Sequence, residues 1–279
     1  MSNYYQPSNT VMPPVIKGII VLNVIMYLIT MASEYFGFHQ QLFNLFALHY
    51  YGSELFQPHQ FVTYGFLHGG LGHIFFNMFA LWMFGAMLEN YWGSKRFFIY
   101  FIFTVVGAGV TQMISQHFEI SALSKHVSAF INNPDPMDFR VLFEQNMDGM
   151  GAEFRSFGAQ LASTYETQPH NPEVIDNAIM FAQNLIPYQA STPLVGASGG
   201  VYGILLAFGM MFPNMLIYLY FLIPVKAKYF VIGYGLLELY TSMQNNPGDN
   251  VAHLAHLGGM IFGFIMIMMW RKKDNNFNY

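Results

Sequence analysis

A serine inside a glycine-rich run is the residue of this chain best placed for nucleophilic chemistry. Residues 195–203 read VGASGGVYG, with Ser198 at the start of an apolar segment. A Gly-x-Ser-x-Gly run forms the strand-to-helix elbow of soluble hydrolases, but here no strand pattern precedes it and a membrane helix follows. A glycine- and serine-rich helix start is also typical of close packing in a helix bundle. This run alone therefore leaves both interpretations open.

Other polar residues recur at helical spacing inside apolar segments. His73 and Asn77 are four residues apart, as are Ser198 and Tyr202, so each pair shares one helix face. His256 lies in a third apolar segment and shares a helix face with Gly259 and Gly263 at positions i+3 and i+7. Both glycines are expected to mark the side on which the helix of Ser198 comes close. Strongly polar groups are costly in a bilayer and mark functional sites there by default.

These residues could together form a serine hydrolase site. Ser198 needs a base within hydrogen-bond reach, and His256 is suited to that role. Gly199 and Gly259 would allow their two helices to approach closely. An oxyanion could be stabilised by His73, Asn77 and the backbone N–H groups at Ser198 and Gly199. Tyr202 could pack on the imidazole ring and hold its orientation.

The acidic residues suggest a Ser–His dyad rather than a triad. The second, fourth and sixth apolar segments contain no aspartate. Glu238, near the outer end of the fifth segment, is expected to be a membrane-interface residue. His253, one turn nearer the surface than His256, is expected to be hydrated and to need no special partner.

The composition is that of a multi-spanning membrane protein. Hydrophobic residues make up 54% of the 279 residues and charged residues only 9%, whereas soluble domains carry about 25% charged residues. The absence of cysteine excludes disulfides, thiolate nucleophiles and cysteine-ligated metals. A net charge of −4 without basic runs gives no indication of nucleic-acid binding. No metal, no cofactor and no cleavable signal peptide are expected.

Six apolar segments approach the length of about 20 residues that a membrane-spanning helix needs. They cover residues 15–33, 73–92, 97–115, 196–212, 227–241 and 251–270. The sequence thus predicts an all-α polytopic fold with both termini on one side of the membrane. The second, fourth and sixth spans then start at the opposite face, which places the five polar groups about 5–10 Å below it, at about 1.5 Å per residue.

The distribution of basic residues predicts on which side of the membrane the two termini lie. With an inside N-terminus, the inner segments hold eight of the eleven lysines and arginines, as expected for cytoplasmic loops. We therefore expect a plasma or inner membrane protein with cytoplasmic termini and a site that opens to the extracytoplasmic side. Its partners would be the lipid bilayer and transmembrane substrates, and its oligomeric state stays open.

Two outer segments interrupt this pattern. Residues 37–72 form an aromatic-rich loop with the composition of an interfacial segment. Residues 116–193 form a polar insertion with an apolar set at helical spacing, which predicts a small helical domain. The expected parts are therefore a cytoplasmic segment 1–13, a first core part 14–115, the helical insertion 116–193, a second core part 194–271 and a cytoplasmic tail 272–279.

Three ordered motifs give the chain a family resemblance. His73-Ile74-Phe75-Phe76-Asn77 lies in the second span, Gly196-Ala197-Ser198-Gly199 opens the fourth, and residues 255–263 of the sixth read AHLGGMIFG. Together they resemble the rhomboid family of intramembrane serine proteases. Phe66-Leu67-His68 and Glu89 also match the family's pattern around the second span.

The resemblance implies a six-helix rhomboid-like bundle that hydrolyses peptide bonds in or next to transmembrane segments. It assigns Ser198 as nucleophile and His256 as base. His73 and Asn77 would stabilise the oxyanion, and Tyr202 would stack on the catalytic histidine. A helical substrate must unwind to present its carbonyl, so small or helix-destabilising residues are expected near the cut.

The chain departs from the family in two places. His59-Gln60 stands where many relatives have a Trp-Arg pair in the first loop, so the polar anchoring of that loop is lost or supplied differently, for example by Gln60. The long insertion is also atypical, and it either shapes substrate access or is a tolerated surface addition.

Two other classes of function stay open. His68, His73, His253 and His256 lie near one membrane face and would suit a histidine-lined metal site in a transporter or channel. Against this, no carboxylate is expected to complete such a site. The other alternative is a catalytically inactive rhomboid relative that acts as a membrane-protein chaperone.

Overall fold

The computed structural model describes residues 10–147, 150–219, 222–244 and 251–273, so most of the predicted segments 1–13 and 272–279 lies outside the described residues. Within these ranges the chain is almost entirely helical, with one short β-hairpin. The longer helices are α1 (Pro14–Phe36), α6 (Ser94–Asn132), α9 (Pro172–Ala190), α10 (Ser198–Met211), α11 (Ala227–Gln244) and α12 (His253–Lys273). The shorter ones are α2 (His39–Phe46), α3 (Gln60–Thr63), α4 (Leu71–Ala80), α5 (Ala86–Trp92), α7 (Pro136–Asn146) and α8 (Ala152–Thr167).

The predicted all-α polytopic membrane fold is confirmed. Four helical segments are long and apolar enough to cross a membrane: Pro14–Phe36, Leu71–Trp92, Ser94–Asn132 and a segment starting at His253. The fourth and fifth predicted spans correspond to α10, with 14 residues, and α11, with 18. Between them lies an antiparallel hairpin of β1 (Leu216–Leu219) and β2 (Ile223–Lys226), which the sequence analysis did not predict.

Helix α10 lies at the centre of the bundle. Ten of its fourteen residues are buried, so apolar and small side chains face neighbours on all sides. It packs against α6 and α12, and these two helices also pack against each other. Every residue at the start of α10 is therefore held by two neighbouring helices.

The second span is interrupted by a π-helical turn. Helix α4 passes into this turn, Leu81–Gly85, before α5 continues to Trp92. At the end of α5 the buried carboxylate of Glu89 accepts hydrogen bonds from the N–H groups of Val15 (3.0 Å) and Ile16 (2.8 Å) and from the hydroxyl of Ser94 (2.6 Å). Because no side chain of α1 itself caps its N-terminus, Glu89 fixes the starts of both α1 and α6.

The insertion is joined to the bundle by a continuous helix. Helix α6 runs unbroken to Asn132, so the boundary expected at residues 115/116 falls inside it. Helices α7, α8 and α9 then pack around a hydrophobic cluster of their own, together with the end of α6. The cluster includes the fully buried Phe139, Tyr165 and Ala178. Helix α6 thus connects the membrane bundle to the insertion without a break.

Gln60 ties the first loop together. Its side chain is fully buried, and its Nε2 donates to the carbonyls of Asn44 and Leu55, both at 2.9 Å. Its Oε1 accepts from the N–H groups of Gln57 (3.1 Å) and His49 (3.3 Å). Gln60, at the position of the family's arginine, therefore makes four hydrogen bonds within the first loop. The polar anchoring of this loop is supplied by Gln60 instead of an arginine.

Replacing Gln60 with alanine should destabilise the protein. The change leaves two buried carbonyls without these donors, at a cost of about 1–3 kcal/mol per buried unsatisfied group. Since about 1 kcal/mol shifts Tm by roughly 2–4 °C in a chain of this size, thermal unfolding in detergent should show a Tm lower by several degrees. Gln41→Ala, at an exposed position of α2, is the matched control. Equal Tm values for both variants would contradict the anchoring role.

Candidate active site

Ser198 is the first residue of α10, and a turn at Gly196 places it there. Gly196 has φ +125°, a left-handed conformation that favours glycine. A side chain at this position would also lie 2.7 Å from the His73 ring. The preceding loop is fixed by two backbone hydrogen bonds between Leu48 and Leu194, at 3.0 and 2.8 Å. The half-buried Ser198 hydroxyl is therefore held by backbone contacts on its N-terminal side.

The structure brings Ser198 and His256 into direct contact. The Nε2 atom of His256 lies 2.8 Å from the Ser198 Oγ. His256 is only 7% exposed, and the Tyr202 ring stacks on its imidazole with centroids 4.2 Å apart and planes 9° apart. A histidine whose Nε2 faces a serine hydroxyl can accept its proton, so the pair has the geometry of a nucleophile and a general base.

Glu238 contacts the imidazole of His256, which the sequence analysis did not predict. Glu238 is only 5% exposed, so it is buried inside the bundle and does not face the membrane interface as expected. Its Oε2 lies 3.0 Å from the Nδ1 of His256, and its Oε1 accepts a hydrogen bond from the Tyr202 hydroxyl. The sequence did contain a signal, because Glu238 is the one acidic residue among the apolar residues 227–241 and such residues are functional by default.

His253 also has a specific partner, contrary to expectation. Its Nδ1 lies 2.6 Å from the same Glu238 Oε2 and 3.1 Å from the Thr241 hydroxyl. The single carboxylate thus receives hydrogen bonds from Tyr202, His253 and His256. These donors offset the free-energy cost of burying the carboxylate. Glu238 and the two histidines also form the one group in the described part of the chain that could hold a metal ion.

Glycines allow α10 and α12 to approach each other. A side chain at Gly259 would collide with the carbonyl oxygen of Gly199, so these two positions form the point of closest contact. Gly263 lies elsewhere: a side chain there would meet Tyr100 and Thr104 of α6. The expectation that Gly259 and Gly263 mark the same neighbour is therefore wrong, since α12 contacts two helices along this face.

Of the residues expected at the oxyanion, His73 lies next to the turn that precedes Ser198. The His73 ring packs against Gly196, two residues before the serine. Asn77 is buried, and its side-chain amide donates to the His73 carbonyl at 3.0 Å. The first N–H groups of α10 have no acceptor within their own helix, because the helical bonds begin with Val201 to Ala197. The His73 ring and the first N–H groups of α10 thus lie at the N-terminal end of α10, and Asn77 is held against His73 on α4.

The four histidines noted in the sequence separate into two pairs. His68 and His73 pack edge to face with centroids 4.9 Å apart, on the Gly196 side of the serine. His253 and His256 share Glu238. Burial, with a contribution from neighbouring His73, lowers the pKa of His68 to about 4. His68 is therefore neutral, and among the described residues only His253 and His256 join a group with metal-ligand spacing, together with Glu238.

The fold and site agree with a comparison against known families. The model of the rhomboid domain matches residues 55–129 and 174–273, more than half of the chain. The chain belongs to the rhomboid family. The rhomboid match is interrupted at residues 130–173, which contain α7 and α8.

Two curated rhomboid proteins resemble this rhomboid chain. One is an uncharacterised mitochondrial rhomboid protein of Schizosaccharomyces pombe, 32% identical over 110 residues, which are 37% of this chain and 28% of that protein. The other is the mitochondrial RHOMBOID-like protein 12 of Arabidopsis thaliana, 23% identical over 204 residues, or 72% of this chain and 43% of the relative. The matched region spans less than half the length of either relative.

The contact between Gly199 and Gly259 gives a stability prediction. Gly259→Ala should push α10 and α12 apart and cost about 1–3 kcal/mol, the usual range for overpacking. Gly233→Ala is the matched control, because a side chain there meets nothing within 4 Å and the change should stabilise by about 0.4–1 kcal/mol. Thermal unfolding of both variants in detergent checks this. A Gly259→Ala protein as stable as the control would show that the helices are not in close contact.

Proposed function

We propose that this rhomboid protein is an intramembrane serine endopeptidase that hydrolyses peptide bonds in or next to transmembrane segments of its substrates. The observation that carries the proposal is the chain of contacts from Ser198 through His256 to Glu238. Its two links measure 2.8 and 3.0 Å. Family membership and the apolar helices around the site support the membrane setting.

In the proposed mechanism, the protons are transferred through His256. Ser198 Oγ attacks the substrate carbonyl carbon while His256 Nε2 takes the hydroxyl proton. The tetrahedral intermediate then collapses as His256 returns this proton to the leaving amine, which frees the C-terminal product and leaves an acyl-enzyme. A water molecule, deprotonated by the same nitrogen, hydrolyses the ester and restores Ser198.

Glu238 acts on the reaction through His256. Its carboxylate accepts from Nδ1, which keeps the proton on that nitrogen and leaves Nε2 free to act as base. The negative charge also stabilises the imidazolium that forms during the attack. Stacking by Tyr202 keeps the ring in the plane that joins Ser198 and Glu238. Glu238 and Tyr202 are therefore positioning residues.

The developing oxyanion would be bound on the opposite side of the hydroxyl. The first N–H groups of α10 have no acceptor within their own helix, and a helix N-terminus favours negative charge. The His73 ring and the second N–H of the Asn77 amide are additional donors. Removing one such donor typically costs about 10²–10³ in turnover.

We also propose that the site opens to the membrane side opposite the basic loops, with both termini on the basic side. The site lies at the starts of α10 and α12, so it is close to one membrane face. The plasma or inner membrane is the location expected from the sequence. The two relatives carry mitochondrial names, which makes a mitochondrial membrane the second candidate.

The competing functions fit the site less well. A membrane-protein chaperone without catalytic activity does not require Ser198 Oγ and His256 Nε2 at 2.8 Å. A metal transporter does not account for the serine or for Asn77. Incubation of the purified protein with a model transmembrane substrate, with Ser198→Ala as control, decides between these functions and proteolysis.

Substitution of the two neighbouring histidines should have unequal effects. His256→Ala removes the base and should abolish cleavage of a transmembrane substrate. His253→Ala leaves Glu238 bonded to Tyr202 and His256, so we expect a loss below about tenfold, or roughly 1.4 kcal/mol of barrier. An inactive His253→Ala protein beside an active His256→Ala protein would reverse the assignment of the base.

Glu238→Gln should lower kcat with little change in KM. A glutamine retains the size of the side chain but removes the charge and permits the wrong imidazole tautomer, a change that costs up to about 10⁴-fold in a Ser–His–Asp triad. We expect a loss of at least about 10²-fold. Glu34→Gln, at an exposed position near the end of α1, is the control. A kcat within threefold of wild type would show that the site works as a dyad.

The orientation predicts which side exposes the insertion. Protease added to sealed right-side-out spheroplasts, or to mitoplasts if the protein is mitochondrial, should cut within residues 116–193. Protease confined to the side of the basic loops should not. The opposite pattern would place the active site at the other membrane face.

A further inference from the structure

Glu238 contacts two imidazole nitrogens, one more than a Ser–His–Glu triad uses. Its Oε2 contacts Nδ1 of His256 at 3.0 Å and Nδ1 of His253 at 2.6 Å. A triad uses only the first of these contacts. One potential ligand atom from each of the three residues lies within 4.8 Å of the others. The cluster therefore offers two nitrogens and one carboxylate oxygen to a common centre.

This donor set matches the preferences of zinc. Zn²⁺ binds histidine nitrogens at about 2.0–2.1 Å and carboxylate oxygens at about 2.0–2.2 Å, which puts tetrahedral ligand atoms about 3.3 Å apart. To admit the ion, the two oxygen–nitrogen distances must lengthen by well under 1 Å, and the two nitrogens, which lie within 4.8 Å of each other, must come to about the same separation. Two histidines on successive turns of α12 and a carboxylate from α11 form a set of three protein ligands with a fourth position open. Mg²⁺ and Ca²⁺ prefer all-oxygen sites and are disfavoured here.

A route for an ion from water reaches this cluster. A cavity of about 780 Å³ lies between the insertion and the outer ends of α11 and α12. Its lining includes His253 and Thr241 of the bundle side and Glu119, His126 and Gln189 of the insertion side. His253 therefore forms part of the cavity wall and is the ligand that an incoming ion meets first.

We propose that Glu238, His253 and His256 form an inhibitory binding site for Zn²⁺ or a similar transition-metal ion. A metal on Nδ1 of His256 takes the place of the proton that Glu238 accepts. A neutral imidazole with its Nδ1 metallated carries its proton on Nε2, so it cannot accept the proton of Ser198. Metal binding and base catalysis by His256 are thus mutually exclusive. The inhibitory effect rests on the proposed protease activity, whereas the binding site does not.

Binding is tested on the full-length Ser198→Ala protein, which lacks the nucleophile but retains all three ligands. Isothermal titration with ZnCl₂ in detergent, and zinc content after dialysis, should give one ion per chain. Adding His253→Ala or Glu238→Gln to this protein should weaken binding at least about tenfold, because one of three ligands is lost. His170→Ala, at an exposed position between α8 and α9, should leave binding unchanged.

Substitution of Zn²⁺ by Co²⁺ provides a readout of the ligands themselves. Four-coordinate Co²⁺ bound to two imidazoles should give visible absorption bands that disappear in both ligand variants and persist in His170→Ala. Circular dichroism confirms that each variant is folded. No zinc binding, or equal binding in the ligand variants and in Ser198→Ala alone, would overturn the site.

Inhibition is tested with the otherwise unaltered protein. Added ZnCl₂ should inhibit cleavage of a transmembrane substrate reversibly, and a chelator should restore it. His253→Ala should need at least about tenfold more zinc for half-inhibition. Equal zinc sensitivity, or zinc binding without inhibition, would overturn the inhibitory role. If the protein cleaves no substrate at all, the proposed protease function fails, and the titration of Ser198→Ala still decides the metal site.

Discussion

The whole site depends on how closely α10 approaches α12. The Gly199 carbonyl lies against Gly259 with no room for a side chain, and only at this separation can Ser198 reach His256. Membrane helices gain little from hydrophobic association, so close packing through small residues is what holds them together. The nearby Gly203 is involved in the same packing, since its carbonyl accepts a hydrogen bond of 2.7 Å from Tyr100 of α6. Three helices are thereby held around one serine.

A second constraint is the buried carboxylate of Glu238. A charge inside a membrane helix is tolerated when hydrogen-bond donors surround it. Tyr202, His253 and His256 supply those donors from α10 and α12, so Glu238 connects α11 to both helices that form the nucleophile–base pair. The same arrangement orients the base and creates a cluster suited to a metal ion. One residue therefore links packing, catalysis and the proposed inhibition.

The sequence was informative where the chemistry follows from local spacing. The motifs around Ser198, His256 and His73 predicted residues that the structure brings together. Residues spaced by about one helical turn, such as Ser198 and Tyr202, share a helix face, and this follows from the sequence alone. The sequence was less informative where the contact joins different helices. Glu238 was placed at the interface because spacing within α11 says nothing about which helix faces it. Gly263 was assigned to the wrong neighbour for the same reason.

The insertion shows a different limit of prediction from sequence. Its helical content followed from the periodicity of apolar residues, but the continuity of α6 to Asn132 did not. The helix continues because nothing in the polar part of the segment stops it before Asn133, since the next proline is Pro134. Polarity marks where the membrane ends, not where a helix ends. The cavity between the insertion and the bundle likewise depends on tertiary packing that no local pattern encodes.

The central claim is that His256 activates the hydroxyl of Ser198. The most direct measurement is covalent modification of the purified protein by a fluorophosphonate, followed by intact mass spectrometry and peptide mapping. We expect one adduct per chain, on Ser198, and a strongly reduced rate of labelling in His256→Ala. Adducts on other residues, or equal labelling rates in both proteins, would contradict the account.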